Sequence, residues 1–513
     1  MEYQNKNKKI YAREFHEIRD NDTALVFDIE NVRLIQVNDL ELGVLNQIKE
    51  KPLPVPELKK RFVPGKAGNV EEAIIELSSL DMLGYSPFKK ISPEEIEDYN
   101  RGHWEYLKQK DLRQISLNVT HKCNLNCDYC YGEDGSYGGP AVHMSRDTAK
   151  QAIDFLLRQS ADSDSVRVTI FGGEPLLNYD LVKYIIGYAK KQALKHNKKV
   201  YFGMTTNGVL LDEDKIDFLI KEKVDMTFSF DGPQEVQDKN RPFKSQKKKS
   251  SYDLIYPKIL KFIEKAEKEK SFYCFRATLT RPGIVNIYDV VDFFNGFNTE
   301  RIHYDFAEYA NISSGDLVIT GDAIKSFRQK VREVAADFKE NRSTRYDSLF
   351  SGPLRAIQGK MKKKCACISP GVTYAGVSAQ GDLFPCHRFV GCKETKFGDV
   401  WNGFDREKWL KKYAKVNIFS SKVCSGCWLR YFCGGMCPAT NYFLGGDMVV
   451  SEEIEQEPVH CKLSKMIYEE AMLLYTGLAD NLAENLAENH SAAKNQEKKN
   501  TARKRKNKEA IFS

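Results

Sequence analysis

The fold class is decided by the stretch ISLNVTHKCNLNCDYC, residues 115–130. Its first six residues form an apolar run typical of a buried strand. Three cysteines follow in the spacing C-x3-C-x2-C. Three thiolates can bind three irons of a 4Fe–4S cluster and leave the fourth iron without a protein ligand. The alternative is a structural zinc site, which requires four ligands and has only His121 nearby as a fourth.

Strand-like runs alternate with helical stretches on the C-terminal side of this strand. Six such repeats predict an α/β fold with a parallel sheet, a partial (β/α)6 barrel over residues 113–310. In such barrels the functional residues lie on loops after the carboxyl ends of the strands. The six runs are ISLNVT, VRVTIFGG, KVYFGMTTNG, VDMTFSFDG, FYCFRATLT and RIHYDFAEY.

The rest of the chain divides into five segments. Residues 1–90 carry short strands and three helical patterns, which predicts a winged helix-turn-helix-like unit that binds DNA or takes a peptide at a strand edge. Residues 91–112 are predicted to form a polar helical linker, and residues 311–360 are predicted to form a helical connection. Residues 361–476 form a cysteine-rich domain poor in long periodic segments. Residues 477–513 predict a disordered basic tail.

Composition narrows the class of protein. The net charge is +7, but most of it lies in the tail, so a nucleic-acid enzyme is not favoured. No apolar run is long enough for a membrane span, and no secretory signal is recognisable, which predicts a cytoplasmic protein. Nine of the 13 cysteines lie between Cys365 and Cys461. In a reducing compartment, clustered thiols indicate metal binding rather than disulfides.

Further polar motifs follow the next strands in order. Gly172-Gly173-Glu174 ends the second run, Thr205-Thr206-Asn207-Gly208 the third, and Ser229-Phe230-Asp231 the fourth. Together with the cysteine triplet, they resemble the radical S-adenosylmethionine (SAM) superfamily. Taken singly, such short polar side chains are equally well read as helix caps.

The resemblance implies a cluster on Cys123, Cys127 and Cys130, and SAM bound at the open iron. It also implies that a 5′-deoxyadenosyl radical abstracts hydrogen from the substrate. Tyr129 would pack on the adenine, although core packing is the alternative, and Arg276 resembles a further basic position near SAM. The implied SAM-binding residues are Tyr129, Gly172, Gly173, Glu174, Thr206, Asn207, Ser229, Asp231 and Arg241.

The C-terminal cysteines resemble a SPASM domain, which holds two auxiliary 4Fe–4S clusters, so that three clusters are expected in all. Zinc ribbons, which also repeat C-x2-C, are the alternative. One implied ligand set is Cys424, Cys427, Cys433 and Cys461. The other is Cys386 and Cys437 with Cys367 and Cys365. Its fourth ligand is left undecided among Cys365, Cys367 and Cys392, or the fourth iron has no protein ligand and could bind a substrate thiolate. Cys274, in a strand-like run, is expected to be buried and inert.

SPASM enzymes mostly modify peptides, and the 1–90 unit resembles the element that binds the leader of a ribosomally made peptide. Sulfatase-type maturases carry Asp after the auxiliary-cluster cysteine, whereas here His387 follows Cys386. Formylglycine formation is therefore disfavoured. His387 is either catalytic or a structural residue satisfied by a hydrogen bond.

Thioether formation between a Cys sulfur and a carbon is the leading hypothesis, and carbon–carbon crosslinking is the second. A different class is an iron–sulfur redox sensor that binds nucleic acid. The expected partners are a leader-bearing peptide and a low-potential electron donor of the flavodoxin or ferredoxin type. Neither a membrane nor a nucleic acid is expected as a partner.

Overall fold

The structure is a computed structural model of the 513-residue chain. It describes residues 7–20, 23–62, 69–245, 250–297, 302–307, 312, 315–340, 348–452 and 457–477. No helix within these ranges is long and apolar enough to cross a membrane. Apart from residue 477, the tail predicted to be disordered lies outside the described residues.

The N-terminal unit contains two small antiparallel sheets and three helices. Its elements are β1 (Lys9–Ala12), β2 (Phe15–Asp20), β3 (Thr23–Asp28), β4 (Arg33–Val37), α1 (Asp39–Glu50), β5 (Leu53–Pro54), α2 (Val55–Lys59), α3 (Asn69–Ser79) and β6 (Leu83–Gly84). The sheet orders are β2-β3-β4 and β5-β1-β6. Three strands were expected and six are present in the described residues, because strands of two to four residues are too short to show an alternating pattern.

All six strand predictions in the central region are confirmed. The strands are β7 (Gln114–Asn118), β8 (Ser165–Phe171), β9 (Lys199–Thr206), β10 (Val224–Ser229), β11 (Tyr273–Leu279) and β12 (Ile302–Phe306). They pair in parallel, each with the next one along the chain. In β8, Val166, Val168 and Ile170 are buried, whereas the alternate residues are half-buried on the opposite face. This period of two leaves one face of the sheet free for polar side chains.

One helix precedes these strands, and the others follow or alternate with them. They are α4 (Pro93–Lys108), α5 (Arg146–Gln159), α6 (Tyr179–Lys195), α7 (Glu213–Lys221), α8 (Gln234–Asn240), α9 (Ser251–Lys268), α10 (Arg281–Val285), α11 (Ile287–Asn295), α12 (Gly321–Glu340) and α13 (Ser348–Gln358). Several begin at a side-chain cap; Ser145, for example, accepts a hydrogen bond from the Thr148 amide at the start of α5. Such caps satisfy amides that have no partner within the helix.

The predicted linker is a packed helix. Ser92 and Glu95 form a capping box at the start of α4, and Ser92 precedes a proline, which fits the first turn. His103 and Leu107 are buried, and His103 Nδ1 lies 3.1 Å from the carbonyl oxygen of Ala414. The helix therefore packs against the cysteine-rich region.

The cysteine-rich region extends the central sheet. Its elements are β13 (Tyr374–Val377), β14 (Asp382–Phe384), β15 (Gly398–Asp399), β16 (Gly403–Phe404), α14 (Arg406–Tyr413), α15 (Lys422–Ser425), α16 (Arg430–Cys433) and α17 (Pro438–Gly445). Short 3-10 turns lie at Pro175–Asn178, His387–Phe389, Lys393–Thr395 and Ile418–Ser420. A last helix, α18, covers residues 459–477.

Two features of this region differ from expectation. Strand β13 pairs in parallel with β7, which gives a mixed ten-stranded sheet that continues across the expected boundary at residue 361. The helix α18 was not expected in a segment poor in periodic patterns. The pairing of β13 with β7 depends on contacts between distant parts of the chain, which a local pattern does not record. Helix α18 does carry a local signal that was overlooked, since its buried Leu463, Ile467, Ala471 and Leu474 recur every three or four residues.

Candidate active site

One cavity of about 420 Å³ lies at the carboxyl ends of the parallel strands. This volume is within the range of small-molecule sites. Of the residues expected to bind a cluster or SAM in the barrel, all but Glu174 and Asp231 line it. The lining set is Cys123, Cys127, Tyr129, Cys130, Gly172, Gly173, Thr206, Asn207, Ser229 and Arg241. Arg276 lines it as well.

The cysteine triplet occupies the loop after β7. The Asn126 amide donates to the carbonyl oxygen of Pro242 at 2.8 Å, which fixes the loop. Asn207 Nδ2 lies 3.8 Å from Cys123 Sγ. Burial raises the pKa of Cys123 to about 11, so the thiol stays protonated until a cation compensates the thiolate.

The described residues contain no group of three or more His, Cys, Asp or Glu that converges on a single metal ion. The three thiols of the triplet instead line a shared cavity. Each thiolate of a cluster binds a different iron, so its ligands need not converge on one point. The donor set therefore fits a cluster.

The glycines after β8 approach the chain's own backbone. A Cβ on Gly172 would overlap the carbonyl oxygen of Thr120, and one on Gly173 would overlap that of Lys122. Gly172 also has a φ of +135°, which other residues rarely adopt. The close approach in the structure is to the cysteine loop, and contact with a ligand stays a prediction.

Glu174 lies behind the cavity wall and joins two strand ends. Its carboxylate accepts hydrogen bonds from Thr206 Oγ1 at 2.8 Å, the Asn207 amide at 2.8 Å and the Leu176 amide at 3.0 Å. Burial raises its pKa to about 7, although these three donors act in the opposite direction. The carboxylate thus holds the β9 loop against the end of β8.

Asp231 is the centre of a second buried network. Its Oδ1 accepts from Arg241 Nη2 at 2.9 Å and from the Thr278 amide at 2.8 Å. Its Oδ2 accepts from Tyr129 OH at 2.7 Å and Asn240 Nδ2 at 3.1 Å. Asp231 therefore orients two residues that line the cavity.

Arg241 carries an unused donor in this network. Its Nε is buried and has no hydrogen-bond partner among the described residues. A buried N–H without an acceptor is costly, so a ligand oxygen at this position fits the site.

Besides Arg276, which was expected near SAM, the other side of the cavity carries residues that the sequence analysis missed. Arg276 forms an ion pair with Asp305, and Thr169, Thr227 and His303 line the same side. Alternate residues of a strand face the same side of the sheet. The period-two pattern of each strand could therefore have indicated these inward-facing residues. Gln114 and Tyr374 also line the cavity.

Tyr374 and His387 reach the cavity from the cysteine-rich region. Tyr374 OH lies 2.7 Å from His387 Nδ1. Burial, with Arg276 and Arg388 nearby, lowers the pKa of His387 to about 3, so the imidazole is neutral. No local pattern indicated Tyr374, because its position depends on the pairing of β13 with β7.

Residues 117–284 match the family model described as the radical SAM superfamily. The radical SAM cyclopropyl synthase TigE of Paramaledivibacter caminithermalis is 22% identical over 82% of this chain and 87% of its own length. The PqqA peptide cyclase of Xanthomonas euvesicatoria pv. vesicatoria is 23% identical over 70% of this chain and 91% of its own length. Residues 117–284 are thus similar to the radical SAM superfamily.

An uncharacterized protein of Methanocaldococcus jannaschii is 36% identical over 137 residues, which are 26% of this chain and 44% of that relative. The match thus spans less than half of that relative. Among solved structures, native anSMEcpe with bound AdoMet has a TM-score of 0.57 at 20% identity, over 72% of this chain and 99% of that chain. The match of residues 117–284 to the radical SAM superfamily indicates an enzyme, and that superfamily implies a 4Fe–4S cluster and SAM.

The C-terminal cysteines of the chain lie in two groups, which we name upstream and downstream. The upstream thiols surround Tyr413, whose pKa is raised well above its usual value by burial and then by their charges. A cavity of about 280 Å³ lies between the groups and is lined by Cys367, Cys433 and Cys437. The upstream group is Cys365, Cys367, Cys386 and Cys437, and the downstream group is Cys424, Cys427, Cys433 and Cys461.

The pKa is shifted in opposite directions for two of the upstream thiols. Burial raises the pKa of Cys386 to about 12. Burial also acts to raise that of Cys437, but Arg388 and the amides at the start of α17 outweigh it, and the pKa is lowered. Arg388 Nη1 donates to Cys437 Sγ at 3.4 Å.

Two cysteines lie apart from these groups. Cys392 Sγ lies 3.4 Å from Glu394 Oε2 and is not among the upstream thiols around Tyr413. Cys274 is buried as expected, but it lines the main cavity, with its Sγ 3.2 Å from Thr227 Oγ1.

Proposed function

We propose that the protein is a cytoplasmic peptide maturase that joins a Cys sulfur to a carbon atom in a ribosomally made peptide. The observation that carries this proposal is the shared cavity. Cys123, Cys127 and Cys130 line it from the barrel, while His387, next to Cys386, lines it from the cysteine-rich region. A substrate in this cavity would contact both the barrel and the cysteine-rich region.

The cluster would be held by Cys123, Cys127 and Cys130. SAM would lie against Tyr129, Gly172, Gly173, Thr206, Asn207, Ser229 and Arg241. When bound, the cluster and SAM supply a 5′-deoxyadenosyl radical that abstracts hydrogen. Arg241 Nε offers its free donor to a ligand oxygen, while Asp231 keeps Tyr129 and Arg241 in place.

The cysteine-rich region is proposed to hold two auxiliary 4Fe–4S clusters, as in a SPASM domain. The downstream group supplies four thiols, and the upstream group supplies four more. We assign both Cys365 and Cys367 to the upstream set, a choice that the sequence left open. The contact of Cys392 with Glu394, and its absence from the thiols around Tyr413, support excluding Cys392 from the set.

The substrate is proposed to be a peptide whose leader binds at a sheet edge of the 1–90 unit. An added strand gains affinity from backbone hydrogen bonds. The peptide cyclase among the relatives and the His387 that replaces Asp after Cys386 support this class. A low-potential flavodoxin or ferredoxin would supply electrons.

The test is anaerobic incubation of the reconstituted full chain with SAM, dithionite and peptides encoded by short reading frames beside its gene. We expect 5′-deoxyadenosine and a peptide that has lost two hydrogens and no longer reacts with iodoacetamide at one Cys. A product that keeps its reactive thiol would favour carbon–carbon crosslinking. No 5′-deoxyadenosine from wild type, with Cys127→Ser as the inactive control, would refute the proposal.

Iron content tests the cofactor count independently. Three clusters correspond to about twelve irons per chain, four to each cluster. About four irons with SAM cleavage would remove the auxiliary clusters from the proposal.

A further inference from the structure

The segment between Cys427 and Cys433 packs directly on the N-terminal unit. Trp428 stacks on His16 with ring centroids 3.9 Å apart and an interplanar angle of 4°. Phe432 stacks on Phe27 of β3 at 5.4 Å. Trp428 follows Cys427 in the sequence, and Phe432 precedes Cys433. The residue next to each of these two cysteines therefore packs on the N-terminal sheet.

Arg430, midway in this segment, is clasped by two carboxylates of the same unit. Its side chain is 4% exposed. Nη2 donates to Glu14 Oε2 at 2.8 Å and to Glu30 Oε1 at 2.6 Å. Nη1 donates to Glu14 Oε1 at 3.1 Å and to the carbonyl oxygen of Cys427 at 3.2 Å. The guanidinium therefore links two glutamates to the backbone of a downstream cysteine.

A third contact reaches the segment of a further downstream thiol, Cys461. Cys461 lies on α18, and the same helix carries Glu469. His16 Nε2 lies 2.9 Å from Glu469 Oε1. Arg328 Nη1 donates to Glu469 Oε2 at 2.8 Å. His16 thus contacts two segments that together contribute three of the four downstream thiols.

The hydrophobic core connects the same three parts of the chain. The largest hydrophobic core of the described residues contains Leu25 and Phe27 of β3 together with Leu429 and Phe432 and with Leu463 of α18. The N-terminal unit is therefore part of the core on which the downstream thiols rest, and it is not merely tethered by its linker.

We propose that the N-terminal unit positions the downstream cysteine group, with Glu14 and Glu30 acting through Arg430 to hold Cys427 and Cys433. This inference rests on the proposed function, because the group is there taken to bind an auxiliary cluster. Without the carboxylates, a buried guanidinium loses its counter-charges, which is strongly unfavourable. The segment between Cys427 and Cys433 can expose the guanidinium to water only by moving outward. Such a movement displaces the thiols of Cys427 and Cys433 as well.

The experiment compares the full-length double variant Glu14→Gln/Glu30→Gln with Asp81→Asn. The control removes the partly exposed ion pair between Arg13 and Asp81 on the same unit. After reconstitution, we expect the double variant to bind about four irons fewer, one cluster, than the control. Its SAM cleavage with dithionite should be retained, because the Cys123 triplet is separate.

A second readout uses the metal-free chain. Lost charge-assisted hydrogen bonds shift a local opening equilibrium by about tenfold or more, so Cys427 and Cys433 should be alkylated about tenfold faster in the double variant. Cys367 should react at an unchanged rate. Arg430→Lys, which keeps the charge but not the fork, should give a smaller change in the same direction.

The two readouts separate the two proposals. If wild type binds only about four irons, the auxiliary clusters of the proposed function are wrong, and alkylation still decides the positioning role. Equal alkylation of Cys427 in the double variant and the control would overturn the inference, as would equal iron content when wild type is fully loaded. Faster alkylation of every cysteine alike would also overturn it, since that reports general unfolding.

Discussion

Asp231→Asn tests whether the buried ion pair with Arg241 organises the SAM side of the cavity. Both side chains are nearly inaccessible, at 0% and 9% exposure. The amide keeps one oxygen acceptor but presents NH2 where the carboxylate faces Tyr129 OH and Asn240 Nδ2. The variant therefore leaves a buried guanidinium without its counter-ion.

Breaking a buried ion pair from one side costs about 3–5 kcal/mol. For a domain of about 150–250 residues, each kcal/mol lowers the melting temperature by about 2–4 °C. The barrel should therefore melt about 6–20 °C lower in Asp231→Asn. The matched control is Asp225→Asn in β10, the strand that precedes Asp231. Its ion pair with Arg167 is about one-third exposed, and such pairs contribute about 0–1 kcal/mol.

The assay is scanning calorimetry of the metal-free full chain, with binding of S-adenosylhomocysteine to the reconstituted protein as a second readout. The double variant Asp231→Asn/Arg241→Met should recover most of the lost stability, because it no longer buries an unpaired charge. It should not recover ligand binding, because the Arg241 donor is gone. Equal melting temperatures for Asp231→Asn and Asp225→Asn would refute the reasoning.

Three further predictions concern single residues. The pKa of Glu174 is raised to about 7, so its favourable contribution to stability is complete below the usual value of 4.5 and is lost as pH rises through 7. The melting temperature of the metal-free wild type, relative to that of Glu174→Gln, should therefore fall over this window. A difference in melting temperature that stays constant with pH would contradict the prediction. Cys392→Ser should keep full iron content, whereas Cys437→Ser should lose about four irons; equal iron content would contradict the grouping. Gly173→Ala should displace the cysteine loop, because the added Cβ overlaps the Lys122 carbonyl oxygen; unchanged iron content and SAM cleavage would contradict it.

The barrel strands and the cysteine triplet were predictable because their signals are local. Each strand carries its apolar run, and each motif follows its strand within a few residues, so parallel pairing brings the motifs to one edge. The position of Tyr374 was not predictable, since β13 is four residues long and its partner lies far away in the chain. The clasp on Arg430 joins residues 416 positions apart, which no periodic pattern records. The roles assigned to individual SAM and cluster residues stay predictions.

The pairing of β13 with β7 has a consequence for the geometry of the cavity. The cysteine triplet follows the carboxyl end of β7, whereas Cys386 follows β14, which is antiparallel to β13 and therefore ends toward the amino end of β13 in the same sheet. A Cβ on Gly376 would crowd the carbonyl oxygen of Cys386, and one on Gly391 would overlap that of Tyr137 in the loop after the triplet. Backbone contacts this close leave little room for sliding. The distance from the cysteine triplet to His387 across the cavity is therefore set by the sheet and its loops, and a substrate must fit a gap of fixed width.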